Sequence, residues 1–231
     1  YYAVMEIIEE KNLDFVGIKA QPELTENFVT MDITEAFLND PYDWDGPHEP
    51  IVAATEADMD GALTMQILKH LTNQPVLFAD VRHYDRDDNF FDLCNSGSHP
   101  TWFASRSSIP EENLKKVQFY PEGFYFPAGG ASVQHIAAPG DVTIARLFRT
   151  AGDYWMAIIP AEFLEFSPQK ARAKAEATQK EWPHAFARFK VSPREFLAEY
   201  DSNHCHAVYG DWVEELIIVC EILGIDYVVY E

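Results

Sequence analysis

The stretch Ile51-Val52-Ala53-Ala54-Thr55-Glu56-Ala57-Asp58-Met59-Asp60-Gly61-Ala62 sets the reading of this chain. Its first five residues are an apolar run of strand length, and Glu56 follows at once. From Asp58 onward the spacing changes: Leu63, Ile67, Leu68 and Leu71 recur so as to cover one face of a helix over 58–71. A second apolar run, 76–79, reads as a strand and ends at Asp80. The order is therefore strand, carboxylate, helix, strand, carboxylate. In open α/β structures ligands bind in the crevice at the carboxyl ends of the strands, so this register aims Glu56 and Asp80 at one cleft. Two hard oxygen ligands suit a divalent cation such as Mn²⁺ or Mg²⁺. The competing reading, that both are ordinary acids at strand ends, stays open in a chain with 38 Asp and Glu.

Working outward, residues 1–75 alternate helix (1–10), strand (15–20), helix (23–38), a turn-rich loop (39–47), strand, helix and strand. That rhythm predicts part of a parallel α/β sheet. Near Thr72 to Pro75 the texture changes to Gly- and Pro-punctuated runs with period-two alternation at 142–147, 154–159, 185–191 and 205–209. These predict antiparallel strands and place a domain boundary near Gln74. The almost wholly polar or Ala segment 169–180 reads as a solvated surface helix. A helix over 211–223 is better specified. Asp211 is its expected cap, Glu214 completes a capping box, Trp212, Leu216, Ile217 and Cys220 form its apolar stripe, and Gly224 ends it before a last strand, 225–230.

Composition excludes several classes. The 231 residues are 47% hydrophobic and can bury a sizeable core, yet no apolar stretch approaches the roughly 20 residues that cross a bilayer. A formal charge of −21 repels a phosphate backbone, and the densest basic region, 170–180, is diluted with Ala, Gln and Glu, so neither nucleic acid nor membrane is an expected partner. Cys94, Cys205 and Cys220 are an odd number without a CxxC pair, which predicts no disulfide framework and a reducing, cytoplasmic setting. The chain opens at Tyr1 in what already reads as a helix, so it is expected to begin inside a domain.

In Asn203-His204-Cys205-His206, extended backbone would send both imidazoles to one face and Cys205 to the other. A metal ligand and a hydrogen-bonded structural histidine are both compatible with that pattern. Taken together, the segments 54–62, Phe78-Ala79-Asp80-Val81-Arg82, Asn95-Ser96-Gly97-Ser98, Gly129-Gly130 followed by 140–147, and Ser202-Asn203-His204 resemble the L-fucose isomerase family, which is related through its C-terminal domain to L-arabinose isomerase. The resemblance is collinear over nearly the whole chain. It implies the end of a second, Rossmann-like parallel α/β domain over 1–74, then a mainly antiparallel, β-barrel-like C-terminal domain with a few helices over 75–231, assembled as a homo-hexamer. It also implies Mn²⁺, or another divalent cation such as Mg²⁺ or Co²⁺, bound by Glu56, Asp80 and His204. Gln21 at a strand end, Asn203 and an apolar wall at Trp182 are then expected to meet the sugar. His99 departs from the fucose-isomerase pattern and is closer to an arabinose-isomerase ligand histidine.

The implied reaction interconverts an aldose and a ketose, such as L-fucose and L-fuculose or D-arabinose and D-ribulose, through a cis-enediol. It needs a base to take a carbon-bound proton, an acid to return one to the adjacent carbon, and stabilisation of the charge between. Glu56 and Asp80 are the expected acid and base, in either order. A metal-dependent hydrolase could use the same residues to activate water, and a non-catalytic sugar-binding module would keep the cleft alone.

Overall fold

The computed structural model describes residues 1–122 and 127–231. Its first part holds α1 (Tyr2–Lys11), β1 (Phe15–Ile18), α2 (Glu23–Asn27), α3 (Asp32–Asn39), the short strands β2 (Tyr42–Asp43) and β3 (Gly46–Pro47), β4 (Val52–Thr55) and α4 (Met59–Thr72). Next come β5 (Leu77–Asp85), β6 (Phe90–Cys94), a 3-10 turn at Thr101–Ala104, α5 (Pro110–Leu114), β7 (Gln118–Pro121) and β8 (Ala131–Gln134). The remainder is β9 (Gly140–Thr150), β10 (Asp153–Phe163), α6 (Pro168–Thr178), β11 (His184–Phe189), α7 (Pro193–Glu199), β12 (His204–Tyr209), α8 (Val213–Leu223) and β13 (Asp226–Val229).

Two sheets position everything that follows. β1 and β4 form a parallel pair, and seven strands form a large mixed sheet in the order β11-β6-β5-β12-β9-β10-β13. Every pairing of the large sheet is antiparallel except β10 with β13, and β11 also meets β10. The chain is thus mixed α/β, with eight helices among the described residues and a large sheet that is mainly antiparallel, as expected, with one parallel pairing at β13. The long β9–β10 hairpin turns through Ala151 and Gly152, both at positive φ, as a tight two-residue turn between right-twisted strands requires.

α4 is the joint between the sheets. Its start is fixed by Asp58, whose Oδ1 accepts from the Gly61 N–H at 2.9 Å, and its end by Asn73 in the left-handed region. Ala62, Met65 and Leu68 are buried in one cluster with Val52 and Ala54 of β4 on one side and Phe78, Ala145, Leu147 and Val208 of the large sheet on the other. Full burial of side chains the size of Met65 and Leu68 stabilises by about 1.5–3 kcal/mol each. The Leu147 N–H also donates to Thr64 Oγ1 at 2.8 Å, tying the helix to β9.

Several expectations need correction. The strand after α4 does not stop at residue 79: β12 pairs with Leu77 to Asp80 and β6 carries β5 on to Asp85, so Asp80 lies within a strand. β5 belongs to the large sheet and β4 to the parallel pair, so Glu56 and Asp80 do not share one sheet edge; they approach from two sheets across α4. The helix expected over 23–38 is two helices, with the Thr30 N–H spent on the Gly129 carbonyl between them. The loop 39–47 contains the β2–β3 hairpin. The capping box at 211–214 does not form: Trp212 occupies the cap position without a side-chain bond, while Gly224 ends α8 as expected. Among the described residues no helix is long and apolar enough to cross a membrane.

Candidate metal and sugar site

Glu56 is placed by a tight turn. Glu56 and Ala57 both have left-handed backbone, at φ 57° and 55°, an uncommon state for residues with a side chain. The turn is held by the Ala57 N–H to the Ile18 carbonyl and the Asp58 N–H to the Thr55 carbonyl, both at 3.1 Å. Gly17 lets β1 approach it, since a Cβ there would meet Met59 Sδ at 2.8 Å and Ala57 Cα at 3.2 Å.

Asp80 and His204 are cross-strand partners on β5 and β12, which puts their side chains on one face. The consequence is convergence on one nitrogen: His204 Nε2 lies 3.4 Å from Glu56 Oε2 and 3.4 Å from Asp80 Oδ1. The other nitrogen, Nδ1, meets Asp58 Oδ2 at 2.7 Å. Asp58 is in turn gripped by Arg146 through two parallel bonds, Nη1 to Oδ2 at 2.5 Å and Nη2 to Oδ1 at 3.1 Å. Phe78 packs against the His204 and His206 rings at 4.7 and 4.9 Å. Asn203 Nδ2 donates to Asp80 Oδ1 at 3.0 Å, and Arg82, stacked 5.0 Å over Trp182, reaches Asp80 Oδ2 at 3.4 Å.

These contacts set the electrostatics. Burial alone would lower the His204 pKa, but hydrogen bonds to Asp58 and Glu56 outweigh it and push it up to about 9. The His204 bond holds Glu56 below its ordinary value against an opposing burial effect. For Asp58 burial is again overcome, by His204 and Arg146, and its carboxyl sits well below the usual range. Asp80 is raised, chiefly by burial.

The donor set fits a divalent cation. With Nδ1–H committed to Asp58, a neutral His204 presents its Nε2 lone pair between two carboxylates, the pattern in which an outer carboxylate fixes the tautomer of a ligand imidazole. A second set, Asp92, Cys94 and His184, has its ligand atoms within 4.8 Å of one another and is the triad of metal-ligand spacing among the described residues. Two of its three donors are already engaged: His184 spans Asp92 and the Gln179 carbonyl, and the Thr178 hydroxyl donates to Asp92 Oδ2.

Glu56, Asp80, Gln21 and Trp182 line one cleft of about 460 Å³ together with Arg82, Asn95 and Ser96, within the size range of small-molecule sites. Trp182 is nearly buried and its Nε1 donates to Glu122. His99 is elsewhere: it is fully buried, its ring 6.1 Å from that of His135, and it does not line the cleft. His206 lies behind the site, 3.4 Å from Arg146 Nη1. Sequence reasoning missed Asp58 and Arg146 as parts of the site. Asp58 read only as the start of a helix; the usable signal was Arg146, a single cation inside the apolar run 142–147.

Comparison with known proteins gives the chain its family. Residues 93–231 match the family described as L-fucose isomerase, C-terminal domain, and residues 5–73 match L-fucose isomerase, second N-terminal domain. The chain belongs to the L-fucose isomerase family. Its relatives include the L-fucose isomerases of Streptococcus pneumoniae strains JJA and Hungary19A-6, each 28% identical over 253 residues. The matches cover 90% of this chain and 43% of the relatives, so the chain spans less than half of their length.

Proposed function

We propose that this chain carries the catalytic part of a metal-dependent aldose–ketose isomerase of the L-fucose isomerase type, with Glu56, Asp80 and His204 as cation ligands. The observation that carries the reading is the approach of both carboxylates to His204 Nε2 at 3.4 Å while Asp58 holds Nδ1. When bound, a divalent cation such as Mn²⁺ would act as a Lewis acid on two substrate oxygens and spread the enediolate charge. The chain's own residues do the proton work. Glu56 and Asp80 face the cleft from two sheets, so one can take a proton from a substrate carbon and the other return one to its neighbour. Asn203 and Arg82 hold the Asp80 carboxylate in place. Gln21 lies where it can meet sugar hydroxyls, and Trp182 supplies an apolar wall.

The same reading takes residues 1–74 as the end of one domain and 75–231 as the next, in a cytoplasmic homo-hexamer acting on L-fucose, D-arabinose or a related sugar. Glu56→Gln and Asp80→Asn, made in the intact protein, test it. Each should lower kcat by about 10²–10⁴-fold, the worth of a positioned acid or base, while the melting temperature at saturating metal stays within a few degrees. Retention of more than a tenth of wild-type activity by both variants would refute the assignment.

A further inference from the structure

A second, much smaller cavity opens beside Glu56 and is lined by Thr30, Asp32, Glu35, Thr55 and Ser96 among others. Its volume, about 20 Å³, admits one water-sized body. Asp32 and Glu35 are three residues apart in the first turn of α3 and so share a face. Carboxylates in that position usually lie in solvent, where they complement the helix dipole. Here both are buried, Asp32 to 4% exposure and Glu35 to 1%. Ser96 Oγ donates to Asp32 Oδ1 at 2.7 Å, but Asp32 Oδ2 and Glu35 Oε1 have no partner in hydrogen-bond geometry, with the Thr30 hydroxyl near Asp32 and the Thr55 hydroxyl near Glu35.

Among the described residues neither carboxyl is paired with a Lys, Arg or His. Burial pushes Asp32 up to about 6, and burial together with Asp32 and Glu56 pushes Glu35 well above its ordinary value. A buried carboxyl is tolerated in its protonated form, or as the anion when a countercharge or a bound cation takes up its open lone pairs.

We propose that this cavity is a second cation site, in which Asp32 and Glu35 hold a hard divalent ion beside Glu56. The donors are oxygen only, with the hydroxyls of Thr30, Thr55 and Ser96 at the wall, unlike the imidazole-containing set at His204. Room for a single water-sized body requires an ion that has shed most of its hydration shell. That suits Mn²⁺ or Ca²⁺ better than Mg²⁺, which gives up water reluctantly. An ion here offsets the repulsion that Asp32 and Glu56 exert on Glu35.

Mn²⁺ serves as the probe. Crystals of the intact protein equilibrated with Mn²⁺ should give an anomalous peak between Asp32 and Glu35, separate from any peak at Glu56, Asp80 and His204. Combined Asp32→Asn and Glu35→Gln substitution should remove that peak alone and reduce Mn²⁺ bound in equilibrium dialysis from two ions per chain to one. A water without anomalous signal between the wild-type carboxyls overturns the proposal, whether or not the His204 site is filled, so the wild-type map decides the matter even if the double variant fails to fold.

Discussion

At the scale of the residue, His204 connects the proposed metal chemistry to pH. Without metal, its pKa of about 9 keeps the ring protonated at neutral pH, so an ion at Nε2 has to displace a proton. Mn²⁺ affinity should therefore rise about tenfold per pH unit between roughly pH 6.5 and 8.5 and then level off. Calorimetry in two buffers of different ionisation enthalpy should register close to one proton released per ion; an affinity that does not change with pH would contradict the ligand assignment. The sign for stability follows from the same shift. A histidine raised in the folded state stabilises fully below its unfolded value and loses that contribution as pH rises through the folded one. The melting temperature of metal-free protein should accordingly gain a downward component between about pH 6.5 and 9 that is absent in a His204→Gln variant. Asp58→Asn should cost about 10–100-fold in metal affinity, as loss of a partner behind a ligand imidazole does, with no change in helix content by circular dichroism.

At the scale of the element, α4 both joins the sheets and aims the site. Gly61 shows the coupling. A Cβ there would come within 2.7 Å of Asp58 Oδ2 and 2.9 Å of Arg146 Nη1, the far ends of side chains that can give way. Ala in place of Gly inside a helix ordinarily stabilises by about 1 kcal/mol, so Gly61→Ala should leave the melting temperature unchanged or higher while displacing the Asp58 carboxylate. Metal affinity should fall as it does in Asp58→Asn; unchanged affinity would show that Asp58 does not orient His204. Much of α4 was legible in advance, because its period, its Asp58 cap and its flanking strands are local signals. The partners of those strands were not. Residues 81–85 are Val81-Arg82-His83-Tyr84-Asp85, too polar to read as strand, and become strand only because β6 pairs with them. The break between α2 and α3 depends on a carbonyl a hundred residues away, at Gly129, and the Asp211 cap yields to the bond from the Trp212 N–H to Thr143 Oγ1. Local pattern singled out Glu56 and Asp80 and left His204 open, and the family resemblance joined the three as expected ligands; the tertiary register of β5 against β12, and of β4 across α4, brings their side chains together.

At the scale of the whole molecule, buried histidines and the cleft govern behaviour. His135 is 1% exposed and burial, with His184 nearby, lowers its pKa to about 4. The unfolded chain binds this proton near pH 6.5 and the folded chain does not, so stability is lost as pH falls from about 6.5 towards 4. His135→Leu should flatten that acid limb by several degrees of melting temperature relative to wild type; an unaltered slope would show that His135 titrates freely. In the proposed isomerisation Glu56 and Asp80 would move protons between sugar carbon and solvent-exchangeable groups, and isotope transfer reports on that step directly. The decisive measurement is isomerisation of L-fucose and D-arabinose by the intact, Mn²⁺-loaded protein in D₂O, followed by NMR of the product. The account predicts ketose carrying solvent deuterium at C1, and loss of both turnover and exchange in Glu56→Gln; absence of ketose, or ketose formed without deuterium, would contradict it.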